Sequence, residues 1–487
     1  MKKYFAIFAV AALTLTSCQD FLVEAPVLTQ STELTLSDYN GLNKAVGGAY
    51  SPLADGTWYG AFLVLDSEMR AGNAMIPFNN SFTSGRMTTP YYMNYDPSST
   101  SGLWSYAYYT ISAVNNVLNV LEADNEIDAD QADLNNLMAE CYALRGLAHF
   151  DLLRTYCRTN GSNPSLGVPV ITTPQLPSDM PARNTVEETY AQIISDLTKA
   201  QSIISADYAR AGSDSKAFVT KDMITALLAR VYLYHKDYQK AADCATAIIN
   251  SGKYQLWSAD EYASVWGEDT YKGGEVIFYV YGKKSNGYDE YWEGPSHMTN
   301  PKGYADCAAS FQLVDLFEDG DVRGSKGVRG DADGTIMFGT DEDEASGGQY
   351  WTMKYFGKGE GDATSIPDVN NVIVLRLSEM YLIRAEAILN GASVSGVTAL
   401  SDLNTIRAAR NASELTSAGA AAVALERRLE LNFEGHLWFD LDRTGGSVSY
   451  SDGVVNRSID ANSPYWALPI PKSQIDIDEN LEQNPGY

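Results

Sequence analysis

Basic residues are scarce. The 487-residue chain carries 35 Lys and Arg against 62 Asp and Glu, a formal net charge of −27. Nucleic acid needs clustered cations to neutralise its phosphates, and an anionic lipid surface needs a basic patch, so this balance argues against both. Histidine is scarcer still. His149, His235, His297 and His436 are the whole set, and none pairs at the H-x-x-x-H or H-E-x-x-H spacing of zinc sites. Nothing supports a histidine-based metal centre or a Ser-His-Asp triad. The 5 cysteines show no C-x-x-C spacing. Of these, Cys141, Cys157, Cys244 and Cys307 lie in the body of the chain, three of them within apolar helical patterns, which favours small buried side chains; their disulfide state stays open. Past the first 17 residues no continuous apolar run is long enough to cross a bilayer as a helix.

Those first residues, MKKYFAIFAVAALTLTS, are an address. Lys2 and Lys3 supply the basic start and the run from Phe5 to Leu15 the apolar centre of a secretory signal peptide. Leu15-Thr16-Ser17-Cys18 resembles a bacterial lipobox, in which small residues precede a cysteine that is acylated, for example with palmitate, and becomes the new first residue. Several acyl chains on one residue give the stable anchoring that one chain cannot. Loss of residues 1–17 removes Lys2 and Lys3 and no acid, taking the charge from −27 to −29. The remaining 18–487 reads as one domain. Its N-terminal half, 18–260, carries helix pairs, and its C-terminal half, 261–487, carries long loops and final helix pairs.

The pattern is mainly all-α. Ser37-Asp38 opens a helix through about Leu53, another covers 102–123, and a long one runs from Gln131 to Cys157 on the stripe Leu137, Cys141, Leu144, Ala148, Leu152. Pro164, Pro169, Pro174, Pro177 and Pro181 forbid helix in the segment that follows. Thr185 with Glu188 forms a capping box for a helix through Ile204. Residues 220–250 read as two helices meeting near Lys236-Asp237, with Ala229, Tyr232 and Ala241 at the small, aromatic and small positions of a tetratricopeptide repeat. A second pair is expected over 372–390 and 396–411. Between them, 274–282 reads as a strand with Phe278 and Val280 alternating against Tyr279 and Tyr281, and the glycine-dense, acidic stretch 320–361 reads as long loop.

Candidate chemistry is sparse. Glu430 and Glu434 share a helix face near Asp440 and could be read as glycosidase carboxylates. The mixture Glu426, Arg427, Arg428, Glu430, Glu434 and Arg443 favours a helix-surface or partly buried ion-pair network instead. Asp331, Asp333 and Glu342 fit positions 1, 3 and 12 of a calcium loop, but Ile336 occupies the position that needs Gly, so a solvated acidic loop is the better reading and no cofactor is expected. Tyrosine is abundant, 31 against 15 Phe. Rings with one wet end suit binding surfaces. Aromatics gather at Trp58, Tyr59, Tyr91, Tyr92 and Tyr95, at Tyr271 to Trp292, and at Tyr350, Trp351 and Tyr355. With loop 65–73 as polar neighbour, the candidate ligand contacts are Trp58, Tyr59, Asp66, Arg70, Asn73, Tyr288, Tyr291, Trp292 and Trp351.

Several ordered segments carry a family resemblance: SCQDFLVEAP (17–26), AECYALRGLAHFDLLRTYC (139–157), RNTVEETYAQIISDLTKA (183–200), KDMITALLARVYLYHKDYQKAADCATAIINSGKYQL (221–256), NNVIVLRLSEMYLIRAEAILN (370–390), ALERRLELNFEGHLWFDLDR (424–443) and YWALPIPKSQIDIDENLEQNPGY (465–487). The chain resembles the SusD/RagB family of outer-membrane lipoproteins, departing at Leu437, where that family commonly has Arg. The resemblance implies tetratricopeptide-like helix pairs supporting a loop-rich half with a few short strands. It implies a non-catalytic, exterior-facing lipoprotein in polysaccharide utilization. Such a protein binds oligosaccharide and acts as lid to a TonB-dependent, SusC-like outer-membrane barrel. Only Cys18 is carried over residue by residue. A peptide-binding uptake lipoprotein of the same family, or a non-catalytic helical-repeat scaffold, remain the alternatives. Cys18→Ala is expected to release the protein from the membrane fraction; retention there would contradict the lipobox reading.

Overall fold

The computed structural model describes residues 35–78, 84–99, 102–123, 126–160, 164–210, 215–282, 284–285, 288–289, 294–329, 334–340, 348–357 and 370–487. Cys18, Tyr291, Trp292 and the acidic positions Asp331, Asp333 and Glu342 therefore lie outside the described residues, as does the side chain of Tyr288.

Helices dominate. They are α1 (Tyr39–Gly48), α2 (Phe62–Ala71), α3 (Leu103–Glu122), α4 (Gln131–Tyr156), α5 (Val186–Ile203), α6 (Lys221–His235), α7 (Tyr238–Asn250), α8 (Leu377–Leu389), α9 (Ala399–Ala409), α10 (Ala420–Glu430) and α11 (Leu437–Thr444). From α3 to α9 each helix packs on its neighbours in chain order, the arrangement of a helical-pair stack. The expected capping box is present, with Thr185 and Glu188 each satisfying the other's backbone N–H. Ala229 and Ala241 are buried where α6 meets α7, and Lys236 makes the turn between them with φ 66°.

Helix α4 is the axis of the stack, buried on nearly every side from Leu137 onward. Its polar side chains are paired accordingly. Arg145 clamps Asp196 through two bonds of 2.8 and 2.7 Å. His149 Nδ1 lies 3.0 Å from the Arg145 carbonyl, and its Nε2 accepts from the Ile171 N–H. Burial pushes this imidazole down to about 3, so it stays neutral in the fold.

Three expectations are corrected. Helix α1 ends at Gly48, not Leu53, because Gly47-Gly48 weakens it and Pro52 opens a separate short 3₁₀ turn over Ser51–Ala54. Residues 65–73 are not a loop; most belong to α2, which closes on Gly72 at φ 86° with the Tyr450 ring packed where a side chain would go. The segment 372–376 is strand rather than helix.

Besides a two-residue pair, Lys284–Ser285 with Tyr288–Asp289, the short strands are β1 (Ala74–Met75), β2 (Val276–Val280), β3 (Ala308–Ala309), β4 (Lys326–Val328), β5 (Phe338–Thr340), β6 (Trp351–Thr352), β7 (Val372–Arg376), β8 (Val448–Ser451) and β9 (Asn456–Ile459). Strands β2 and β7 pair antiparallel and are buried on both faces. The expected in–out alternation is therefore absent, and Tyr279 is as buried as Phe278. One apolar cluster runs from Leu36 to Leu481, and a smaller one sits between α8, α9 and α10. Among the described residues no helix is long and apolar enough to cross a membrane.

A buried lattice of charges ties these parts together. Glu430 accepts from Arg376 Nη1 at 2.7 Å, Arg410 Nη2 at 2.7 Å and Arg323 Nη1 at 3.0 Å. Glu434 accepts from Arg376 Nε at 2.7 Å and Lys354 Nζ at 2.6 Å. Glu275 meets Arg376 and Arg410, Glu426 meets Arg323 and Arg407, and Asp321 meets Arg323. The named carboxylates match the named cations one for one. The network expected as helix-surface or partly buried is thus almost fully enclosed. Burial alone would raise the Glu430 carboxyl, but Arg410, Arg376 and Arg323 hold it well below the usual range. Glu430→Gln leaves buried guanidinium groups short of a counter-charge and is expected to cost about 3–5 kcal/mol. The penalty is full above the ordinary carboxylate pKa of 4.5 and shrinks only as pH falls through the depressed value. A thermal melt at neutral pH within a degree or two of the parent would contradict this.

Candidate functional site

The loop-rich half presents a face of aromatic side chains set by short strands. Strand β1 pairs with β3, and the Ala309 N–H donates to the Tyr350 carbonyl at 2.7 Å, which links this pair to the β4–β5–β6 ladder. Phe78 stacks on Phe311 with ring centres 6.0 Å apart and planes 16° apart. Phe311 meets Tyr350 edge-on at 6.1 Å. Lys326 Nζ lies 5.4 Å from the centre of the Tyr350 ring. Phe78 is 47% exposed, although burial would have rewarded enclosing so large a ring.

Beside it, the chain at Ser84–Arg86 is pinned to the segment 297–306. Asp306 is wholly buried. It accepts from the Gly85 N–H at 2.9 Å and from the Ser84 hydroxyl. The Arg86 guanidinium lies 3.7 Å over the Tyr304 ring, close enough for a cation–π contact. Tyr304 in turn donates its N–H to the His297 carbonyl at 2.7 Å. The face therefore offers flat apolar surfaces, a lysine and an arginine on rigid supports, a composition suited to binding.

Most of the residues expected from sequence to touch a ligand lie elsewhere. Trp58 is fully enclosed and donates Nε1–H to Asp151 at 2.7 Å. Tyr59 stacks on it with ring centres 6.0 Å apart. Arg70 is buried between Tyr95 and the Trp438 ring, 3.8 Å from the latter, and donates to the carbonyls of Tyr465 and Trp466. Asn73 is buried, donating to Glu68 and accepting from Arg428, both at 2.7 Å. Trp351 is enclosed in β6. Asp66 is partly exposed and accepts from the Tyr95 hydroxyl at 2.6 Å; burial raises its carboxyl. Trp58 ties the turn before α2 to α4, Arg70 ties α2 to α11 and the chain near Tyr465, and these side chains do not converge on the aromatic face. Glu430, Glu434 and Asp440 are each bonded to arginine. Among the described residues no group of His, Cys, Asp and Glu could hold a metal ion.

The sequence reading singled out Tyr350 but passed over Phe78, Arg86, Tyr304 and Phe311. A signal was available. Phe78 precedes Asn79-Asn80-Ser81, Arg86 follows Gly85 and Tyr304 follows Gly303, so these large side chains stand at loop positions that core packing does not demand. Asp306→Ala should release the Ser84–Arg86 chain at a local cost of about 1–3 kcal/mol. Faster hydrogen exchange at the Gly85 amide would show it; an unchanged rate would contradict the anchoring role.

Comparison with known proteins gives a consistent set. Residues 20–233 match a SusD-like family described as starch-binding associating with outer membrane, and residues 338–487 match the SusD family. A SusD-like protein P2 of Formosa agariphila is 27% identical, with all of each chain covered. A crystal structure of a SusD superfamily protein from Bacteroides vulgatus is 29% identical over 92% of this chain and 99% of its own, with a TM-score of 0.80. The surface glycan-binding protein A of Bacteroides thetaiotaomicron shares the fold, with a TM-score of 0.74 at 21% identity over 93% of this chain and 100% of its own.

Proposed function

For a chain that belongs to the SusD/RagB family, we propose a non-catalytic lipoprotein of the outer-membrane exterior that captures glycan and delivers it to a TonB-dependent, SusC-like barrel as that barrel's lid. Residues 18–487 act in this proposal as one unit, tethered by acylated Cys18. The matched family's description and the glycan-binding relative support the sugar class.

The observation that carries the proposal is exposed Phe78 stacked on half-buried Phe311, with half-buried Tyr350 edge-on to Phe311 and Lys326 beside it. Sugars offer C–H faces to flat rings and hydroxyls to the cations and amides around them, and aromatic side chains order cheaply because they have few rotatable bonds. Arg86 on Tyr304 extends the same surface. Tyr288, Tyr291 and Trp292 join the proposed ligand set on residue type and chain position alone. Trp58, Tyr59, Arg70, Asn73 and Trp351 do not join it, because enclosed side chains have no face to offer.

Affinity electrophoresis against a panel of polysaccharides tests the proposal. The parent should be retarded by at least one glycan. Phe78→Ala and Tyr350→Ala should each weaken that retention by up to about tenfold, the equivalent of about 1.4 kcal/mol per aromatic contact. No retardation by any glycan, or retention of peptides instead, would overturn the sugar assignment. Full retention in the double variant would overturn the assignment of the face.

A further inference from the structure

A roomy cavity with a mixed lining lies away from the loop face. It lies among the helix pairs, bounded by the end of α6, the start of α7, and α8, α10 and α11, with a volume of about 560 Å³. That is within the range of about 300–1,000 Å³ typical of small-molecule sites. Its mouth is marked by Leu389, 39% exposed, and by Ala424 on the outer side of α10.

The floor is charged but internally neutral. Arg443 clamps Glu386 through bonds of 2.5 and 2.8 Å. Arg427 clamps Asp440 through bonds of 2.8 and 3.0 Å, and Arg443 also reaches Asp440 at 2.8 Å. Lys236 at the rim donates to Asn160 at 2.9 Å. A charged ligand would have to compete with these pairs, so a charged class is disfavoured. Hydrogen-bonding capacity nevertheless remains. Arg427 Nη1 is unpartnered but enclosed away from the cavity space, so the capacity that remains lies in acceptors. The carboxylates of Glu386 and Asp440, each 12% exposed, have more lone pairs than these bonds use. A hydroxyl can donate to a carboxylate, and vicinal hydroxyls can do so side by side. The walls suit the rest of such a molecule, with the Tyr238 ring, Val423 and Leu441 offering apolar faces.

We infer that this helix-pair cavity is a second binding site, for a neutral, polyhydroxylated ligand the size of a mono- or disaccharide. The choice of a sugar over other neutral polyols rests on the glycan-binding reading above. The cavity itself is separate from the aromatic face. Its position against α6 and α7 would let a small sugar report to the helical stack while a longer chain occupies the loops.

Methyl-resolved NMR of the purified protein tests this, with Val423 and Leu441 reporting on the cavity and Val328 in β4 reporting on the loop face. A panel of neutral mono- and disaccharides is titrated into the millimolar range. At least one should move the Val423 and Leu441 methyls saturably. Ala424→Trp, which fills the mouth from an exposed position, should abolish those shifts without altering the thermal midpoint. Leu389→Trp serves if that variant folds poorly. Tyr238→Ala should weaken the titration by about tenfold or less, as expected for one aromatic contact. If Val328 responds and Val423 stays silent for every sugar, the cavity inference falls and the loop-face reading stands. If Val423 responds and Val328 stays silent, the cavity inference stands, and the loop face is decided by the polysaccharide retardation above. Silence at Val423 for every sugar overturns the inference, as do shifts at Val423 with short peptides but no sugar.

Discussion

Glu430 is enclosed within the protein and bonded to Arg323, Arg376 and Arg410. Taking such charges out of water is costly, and the cost is offset only if every one finds its partner with good geometry. That constraint organises the molecule. Glu275 immediately precedes β2 and Arg376 ends β7, Arg410 follows α9, Glu426 and Glu430 lie on α10, and Arg323 and Lys354 come from the loop-rich half. None can shift without stranding a charge in an apolar interior. The lattice therefore specifies how helix pairs, sheet and loops are mutually placed, more than it adds net stability over an apolar core.

The proposed binding surface inherits its rigidity from this lattice. Lys326 stands three residues from Arg323, and Tyr350 stands four from Lys354. Both segments enter the lattice and then emerge to meet Phe311 and Phe78. Long irregular segments ordinarily gain freedom at the expense of a defined site; here their ends are held by buried ion pairs and two-residue strands. An exposed aromatic stack on such supports pays little ordering cost when a ligand arrives. The helix-pair cavity uses charge differently. Its floor is a second, separate set of pairs, Arg427 and Arg443 with Glu386 and Asp440, self-neutralised yet left with carboxylate lone pairs to spare.

Much of the helical half was legible in the sequence because its signals are local. The capping box at Thr185, the stripe along 137–152 and the small residues at Ala229 and Ala241 each reflect contacts within a helix or between sequential helices. The segment 372–376 was missed because it runs without a break into α8, and the continuous hydrophobicity of Val372-Ile373-Val374-Leu375 masked its β-branched, strand-forming character. The site was less legible for a different reason. Trp58 sits among turn-forming residues and looks available, but its partner Asp151 is 93 residues away, and only the fold brings them together. The same holds for Glu430 and Glu275, whose burial depends on distant cations. The excess of tyrosine divides accordingly, with rings such as Tyr262 and Tyr279 enclosed in the core and a few, Tyr350 among them, at a binding surface.

Hydrogen–deuterium exchange with and without a polysaccharide that retards the protein tests the central claim most directly, because it reads where the ligand sits without altering a residue. Protection concentrated around Phe78, across Tyr304–Phe311, at Lys326–Val328 and around Tyr350 is the expected result. Binding that leaves all of these amides unprotected, with protection confined to other surfaces, would contradict it.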